Sequence, residues 1–161
     1  MAPITKGVLI VALVVTVVAC RKIEFPEPEP PPPPTVVILE LMGAADLNAD
    51  AQGRGAPLAV RIYQLASAEV FSRADFFQVY DQAQASLGVD LIAQETRVLA
   101  PGGQERVPLM IKQGTQFIGI VGAFRDINQS VWRLYAPVVP QQTTTYRLIF
   151  GDGVITPGDA P

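Results

Sequence analysis

No stretch limits the fold of this chain more than PEPEPPPPP, residues 26 to 34. Each proline fixes φ and lacks an amide hydrogen, so neither a helix nor a paired strand can run through it. Such a run favours extended polyproline II at about 3.1 Å per residue, a semi-rigid spacer of roughly 30 Å. The chain is therefore divided into a leader, a stalk and a C-terminal domain. Recognition by a proline-binding partner is the competing use of such a run.

The leader explains the stalk. GVLIVALVVTVVAC, residues 7 to 20, carries an apolar run from Gly7 to Ala19, short of the ~20 residues that a membrane-spanning helix needs. It matches a secretory signal instead, with Lys6 as the positive region, Val8 to Val18 as the apolar region and the small Ala19 before the cut. VVAC resembles the lipobox of bacterial lipoproteins, which implies cleavage before Cys20 and a covalent lipid on its sulfur. With Arg21 and Lys22 following in place of an aspartate, the same resemblance implies onward sorting to the outer membrane. The expected organisation is a signal over 1–19, a lipidated cysteine and tether over 20–34, one domain over 35–157 and a tail over 158–161.

Removal of Lys6 with the signal takes the formal charge from -3 to -4. So mild an acidity leaves no basic face for nucleic acid. Cys20 is the sole cysteine, so the domain has no disulfide and must hold together by packing.

Beyond Thr35 the chain breaks into short runs of β-branched, aliphatic and aromatic residues punctuated by Gly, Pro and Asn, the pattern of an all-β domain. A period of two puts Val37, Leu39 and Leu41 on one face, and Leu58, Val60 and Ile62 on one face with Arg61 and Tyr63 opposite. ETRVL and RVPLMI flank APGGQ and are expected to pair as a hairpin across Gly102 and Gly103. Pro108 assigns the second of them to an edge or bulge. FIGIVGAF is apolar on both faces and reads as a central strand, with Gly119 and Gly122 admitting a close neighbour. VWRLYAP and TTYRLIF, where Tyr146, Leu148 and Phe150 share a face, complete a β-sandwich of about seven to eight strands.

SRADFFQVYDQAQASLG departs from this pattern. Phe76, Val79, Tyr80 and Ala83 recur at helical spacing, Ser72 with Asp75 reads as a capping box, and Gly88 offers a stop. The expectation is one inserted helix packed over a sheet.

Catalytic chemistry is poorly supplied. The chain has no histidine, which removes the Ser-His-Asp and Cys-His arrangements and the usual neutral-pH acid/base. No phosphate-binding glycine pattern occurs. In DLNADAQGRGAP, Asp46, Asn48 and Asp50 alternate like the start of a calcium loop, but Ala51 and Pro57 stand where glycine and a bidentate glutamate belong. Asx-turn chemistry accounts for the same residues. No enzyme activity, metal, cofactor or small-molecule substrate is expected. The segment reads as a long ordered loop between the first two strands, a place where binding residues tend to sit.

LNADAQGRGAPLAVRIYQL, FSRADFFQVYD and GIVGAFRDINQSVWR, preceded by the lipobox and tether, together resemble the outer-membrane lipoprotein of type VI secretion systems, the TssJ (SciN/VasD) family. The resemblance implies a transthyretin-like sandwich with a helical insertion, anchored by lipid on Cys20 in the outer membrane and facing the periplasm. It further implies docking of the periplasmic C-terminal region of the inner-membrane protein TssM through the loop between the first two strands. Carried onto this sequence, the contacts are Asp46, Asn48, Asp50, Gln52 and Arg54. The competing function from another class is a periplasmic carrier of a small apolar ligand.

Overall fold

The structure, a computed structural model, describes residues 30–158. The signal, Cys20 and most of the tether lie outside the described residues. Eight strands follow the tether: β1 (Val36–Gly43), β2 (Leu58–Leu65), β3 (Leu91–Leu99), β4 (Gln104–Met110), β5 (Phe117–Gly122), β6 (Arg133–Pro137), β7 (Thr143–Phe150) and β8 (Ile155–Pro157). They form two four-stranded sheets, ordered β4-β1-β7-β8 and β3-β2-β5-β6. All named pairs are antiparallel except β1 with β7, which run parallel with Leu39 opposite Tyr146.

The alternation read from the sequence fixes which faces meet. Val37, Leu39 and Leu41 of β1 and Leu148 and Phe150 of β7 are buried against Leu58, Val60 and Ile62 of β2 and Ile118 and Ile120 of β5. Each of these large side chains contributes about 1.5–3 kcal/mol when fully removed from water, and together they form the core between the sheets. β5 lies inside its sheet and β4 at an edge, where Pro108 opposes Ile38 and its missing donor costs no more than one ladder bond.

Three expectations are corrected. β3 and β4 do not form a hairpin: they belong to different sheets. The turn between them, with Gly102 at φ 67°, carries the chain from one sheet to the other, and Arg97 of β3 reaches Glu105 of β4 at 3.6 Å across that seam. Nor is the insertion one helix. It comprises α1 (Glu69–Arg73), α2 (Phe76–Tyr80) and α3 (Ala83–Leu87). The capping box is Asp75 with Gln78 rather than Ser72 with Asp75. Asp75 accepts the Gln78 amide at 2.9 Å while the Gln78 side chain takes the Asp75 amide at 3.1 Å. Ala74 is extended, with ψ at 151°, because a short polar side chain at position 75 offers the backbone a bond that competes with the helix. Gly88 does end α3, at φ 54°.

Helices of five residues are unstable alone, and this set is held by the sheet beneath. Phe71, Phe76, Val79, Ala83 and Leu87 bury themselves against Tyr63, Leu65 and Val121 on the outer face of the second sheet. The unpaired carbonyls at helix C-termini need donors, and strand side chains supply them. Arg133 donates to the carbonyls of Phe71 at 2.9 Å and Ala74 at 2.6 Å. Tyr63 donates its hydroxyl to Val79 at 3.0 Å, and Arg61 donates to the Tyr80 carbonyl. Burial pulls the Arg133 pKa down from its ordinary value and pushes that of Tyr63 up.

Gly119 makes the helical layer possible: a Cβ there would lie 2.7 Å from the Phe71 ring. Gly122 is similarly covered by Phe124, at 2.9 Å from where a Cβ would stand. Gly119→Val is expected to expel Phe71 and destabilise the domain by about 1–3 kcal/mol. Thermal unfolding, with near-ultraviolet circular dichroism to follow the aromatic cluster, measures it; an unchanged melting temperature would show that the ring moves aside freely.

Candidate functional site

The ends of the sandwich differ. Thr35 leads into β1 at one end, and the loop 44–57 leaves β1 at the other, beside the turns 100–103 and 151–154 and the connection 123–132. The loop is built from its foot upward. Leu47 is fully buried in the core, and the Ala56 amide closes the foot on the Leu47 carbonyl at 2.8 Å. Gly55 lies so near its neighbours that a Cβ would meet the Ala45 carbonyl oxygen at 2.4 Å and Pro101 at 3.0 Å. Only glycine lets the returning strand of the loop pass.

Asn48 is the loop's internal brace. It is 8% exposed, sits at φ 50°, accepts the Arg125 amide on Oδ1 at 2.7 Å and donates Nδ2 to the Pro57 carbonyl at 3.3 Å. Asparagine tolerates this left-handed backbone better than other side chains. Asp152 adds a second brace by accepting the Ala49 amide at 3.2 Å.

The tip is closed by Asp50 and Arg54. One carboxylate oxygen of Asp50 accepts the amides of Gln52 at 2.9 Å and Arg54 at 3.0 Å. The other accepts Arg54 Nε and Nη2, each at 2.8 Å, a two-pronged pairing that suits the planar guanidinium. The Arg54 amide and then its guanidinium hold the Asp50 carboxyl below its usual range. A depressed acid lends its interactions above its unfolded pKa and loses them as pH falls through its folded value. The Asp50–Arg54 pairing is thus strongest at neutral pH and weakens in acid, while the backbone bonds from the Asp50 amide to Arg54 and from the Gly53 amide to Asp50, each at 2.9 Å, remain.

The structure therefore separates the residues that the sequence grouped. Asp46, Gln52 and Arg54 are exposed, Asp50 is the clasp that shapes the tip, and Asn48 is buried beneath it. Cys20 lies outside the described residues. Leu47, Asp152 and the backbone of Arg125 are not singled out by the sequence; Asp152 carries a weak signal, the polar turn GDG. Among the described residues no group of three or more His, Cys, Asp or Glu is placed to hold a metal ion, and no helix is long and apolar enough to cross a membrane.

Two four-stranded sheets packed face to face, with a helical layer over one and a braced polar loop at one end, define the class by fold: an all-β sandwich. The chain belongs to the type VI secretion lipoprotein family (VasD, EvfM, TssJ), whose model matches residues 35–153. It is similar to the type VI secretion lipoprotein TssJ1 from Pseudomonas aeruginosa at 37% identity and a TM-score of 0.75, over 80% of this chain and 100% of that one. Lip from Serratia marcescens, a membrane-bound component of the type VI secretion system, shares the fold at 21% identity and TM-score 0.73, over 80% of this chain and 99% of that one. A chain in a structure described as the TssM C-terminal domain from EAEC shares it at 24% identity and TM-score 0.66, over 78% of this chain and 99% of that one. No curated protein sequence matches significantly.

Proposed function

We propose that the protein is moored in the outer membrane by lipid on Cys20, faces the periplasm, and docks the periplasmic C-terminal region of TssM through the loop 44–57, helping to assemble the trans-envelope complex of type VI secretion. The observation that carries this reading is the construction of the loop. Asn48 and Asp50 spend their hydrogen bonds inside it, so Gln52, Arg54 and Asp46 stand exposed on a crest that is already ordered. A surface ordered before binding loses little entropy on association. The direction of β1 supports the reading as well: Thr35, where the chain enters the strand, lies at the end opposite the loop. The family resemblance supplies the partner's name, and the likeness to a chain in a structure described as the TssM C-terminal domain supports it.

The carrier reading needs an enclosed apolar cavity between the sheets or under the helices, and the space at the seam of β3 and β4 is about 170 Å³ with Gln64, Glu95 and Lys112 in its lining, small and polar for such a ligand. The domain contributes position and attachment rather than turnover.

Titration of the full-length, detergent-solubilised protein with the TssM C-terminal region tests the docking. A Gln52→Ala/Arg54→Ala double variant is expected to bind about tenfold more weakly, the scale of losing a central interface contact, with only the small loss of thermal stability that breaking the exposed Asp50–Arg54 pair brings. Equal affinity for variant and wild type would remove the crest from the interface.

A further inference from the structure

Beside the loop, a groove of about 480 Å³ runs between α2 and the connection that follows β5, lined among others by Phe77, Tyr80, Ile127, Asp81, Arg125 and Asp126. The groove is continuous with the loop, since the Arg125 amide is bonded to Asn48 at 2.7 Å. Its chemistry is unlike that of an ordinary solvated surface. Phe77 is 62% exposed on a helix whose start is fixed by the Asp75–Gln78 capping box. Its ring meets Phe76 edge-on at 5.4 Å, and Phe76 in turn stacks on Tyr80 at 5.0 Å. This aromatic stack already seats one guanidinium, that of Arg61, 3.9 Å over the Tyr80 ring.

The charges are unbalanced in a way that favours a cation. Asp81 and Asp126 are both exposed, and neither has an ion-pair partner among the described residues. Arg125 is the basic residue of the lining, and against it stand the two carboxylates. An exposed ring beside two unpaired carboxylates suits a planar cation that stacks and forms paired hydrogen bonds at once, which is arginine rather than lysine.

We propose that this groove receives an arginine-bearing segment of the same polypeptide that docks on the loop, the inference resting on the docking reading above. The guanidinium lies against Phe77 and is held by Asp81 and Asp126, so the interface extends from the loop crest onto α2.

The full-length protein in detergent is titrated with the TssM C-terminal region at low and high salt. Phe77→Ala is expected to weaken binding about tenfold, and Asp81→Asn/Asp126→Asn to weaken it by a similar factor at low salt while flattening the salt dependence. All three substituted positions are exposed, and unchanged emission from Trp132, which packs edge-on against Phe76 at 5.3 Å, verifies that the cluster stays intact. If these variants bind like wild type while the Gln52→Ala/Arg54→Ala variant binds weakly, the groove inference is overturned and the docking reading stands. If wild type itself does not bind, the docking reading fails and the inference with it. A wild-type dimer in sedimentation that Phe77→Ala converts to monomer would assign the groove to a second copy of this chain and also overturn the proposal.

Discussion

A Cys20→Ser variant is expected to leave the membrane fraction entirely and to reduce secretion to the level of a strain lacking the protein, while its domain stays folded. Each buried lipid methylene contributes about 0.8 kcal/mol, and a single acyl chain holds only reversibly, so durable attachment needs the several chains that a lipidated cysteine carries. Serine offers no thiol to the lipid-transfer chemistry, and no other cysteine is present in the sequence to replace it. The domain does not depend on this attachment: the described core clusters are built from residues between Val37 and Ile155. Fractionation of cells, with circular dichroism on the released protein, provides the check. A membrane-retained and fully secretion-competent variant would contradict the mooring.

Asn48→Ala is expected to disable docking by a different route. The Arg125 amide would lose its acceptor and the Pro57 carbonyl its donor, and a partly buried polar group left unpaired costs about 1–3 kcal/mol. Alanine at φ 50° adds roughly 1 kcal/mol of backbone strain. The loop foot should loosen, the melting temperature should fall by several degrees, and TssM affinity should drop at least as far as with the crest variants. Asn48→Asp, which keeps an acceptor for Arg125, should fall between the two. A loss of affinity with no loss of stability would instead make Asn48 a direct contact, as the family resemblance implies.

That contrast marks where sequence reading stops. The faces of β1 and β2 were legible because side-chain direction alternates with a period of two, so Val37, Leu39, Leu41 and Leu58, Val60, Ile62 declare their side locally. The close approach at Gly119 was legible because a glycine within an apolar strand has few other uses. Partner choice is non-local: the residues of β3 and β4 look like a hairpin, and only the packing of the whole sandwich sends them to different sheets. The parallel pairing of β1 with β7 has no local signature for the same reason. The helical run misleads because its spacing is correct while its continuity fails at Ala74 and Asp75 and again at Asp81 and Gln82, between α2 and α3. Arg61, Tyr63 and Arg133 carry no signal of their later work, since the carbonyls that they satisfy belong to elements distant in the chain. In the loop, Asp50 and Arg54 stand at a spacing that allows the clasp, yet nothing in DLNADAQGRGAP distinguishes the buried Asn48 from its exposed neighbours.

Docking as proposed requires that one end of the sandwich meet the partner while the other receives the tether. Site-specific photo-crosslinking in cells tests this most directly, with benzoylphenylalanine placed in the full-length protein at Gln52 on the crest or at Val89, which is 95% exposed and lies before β3 at the opposite end. The prediction is a crosslink to TssM from position 52 and none from position 89. A crosslink from 89 alone, in cells that still secrete, would contradict it.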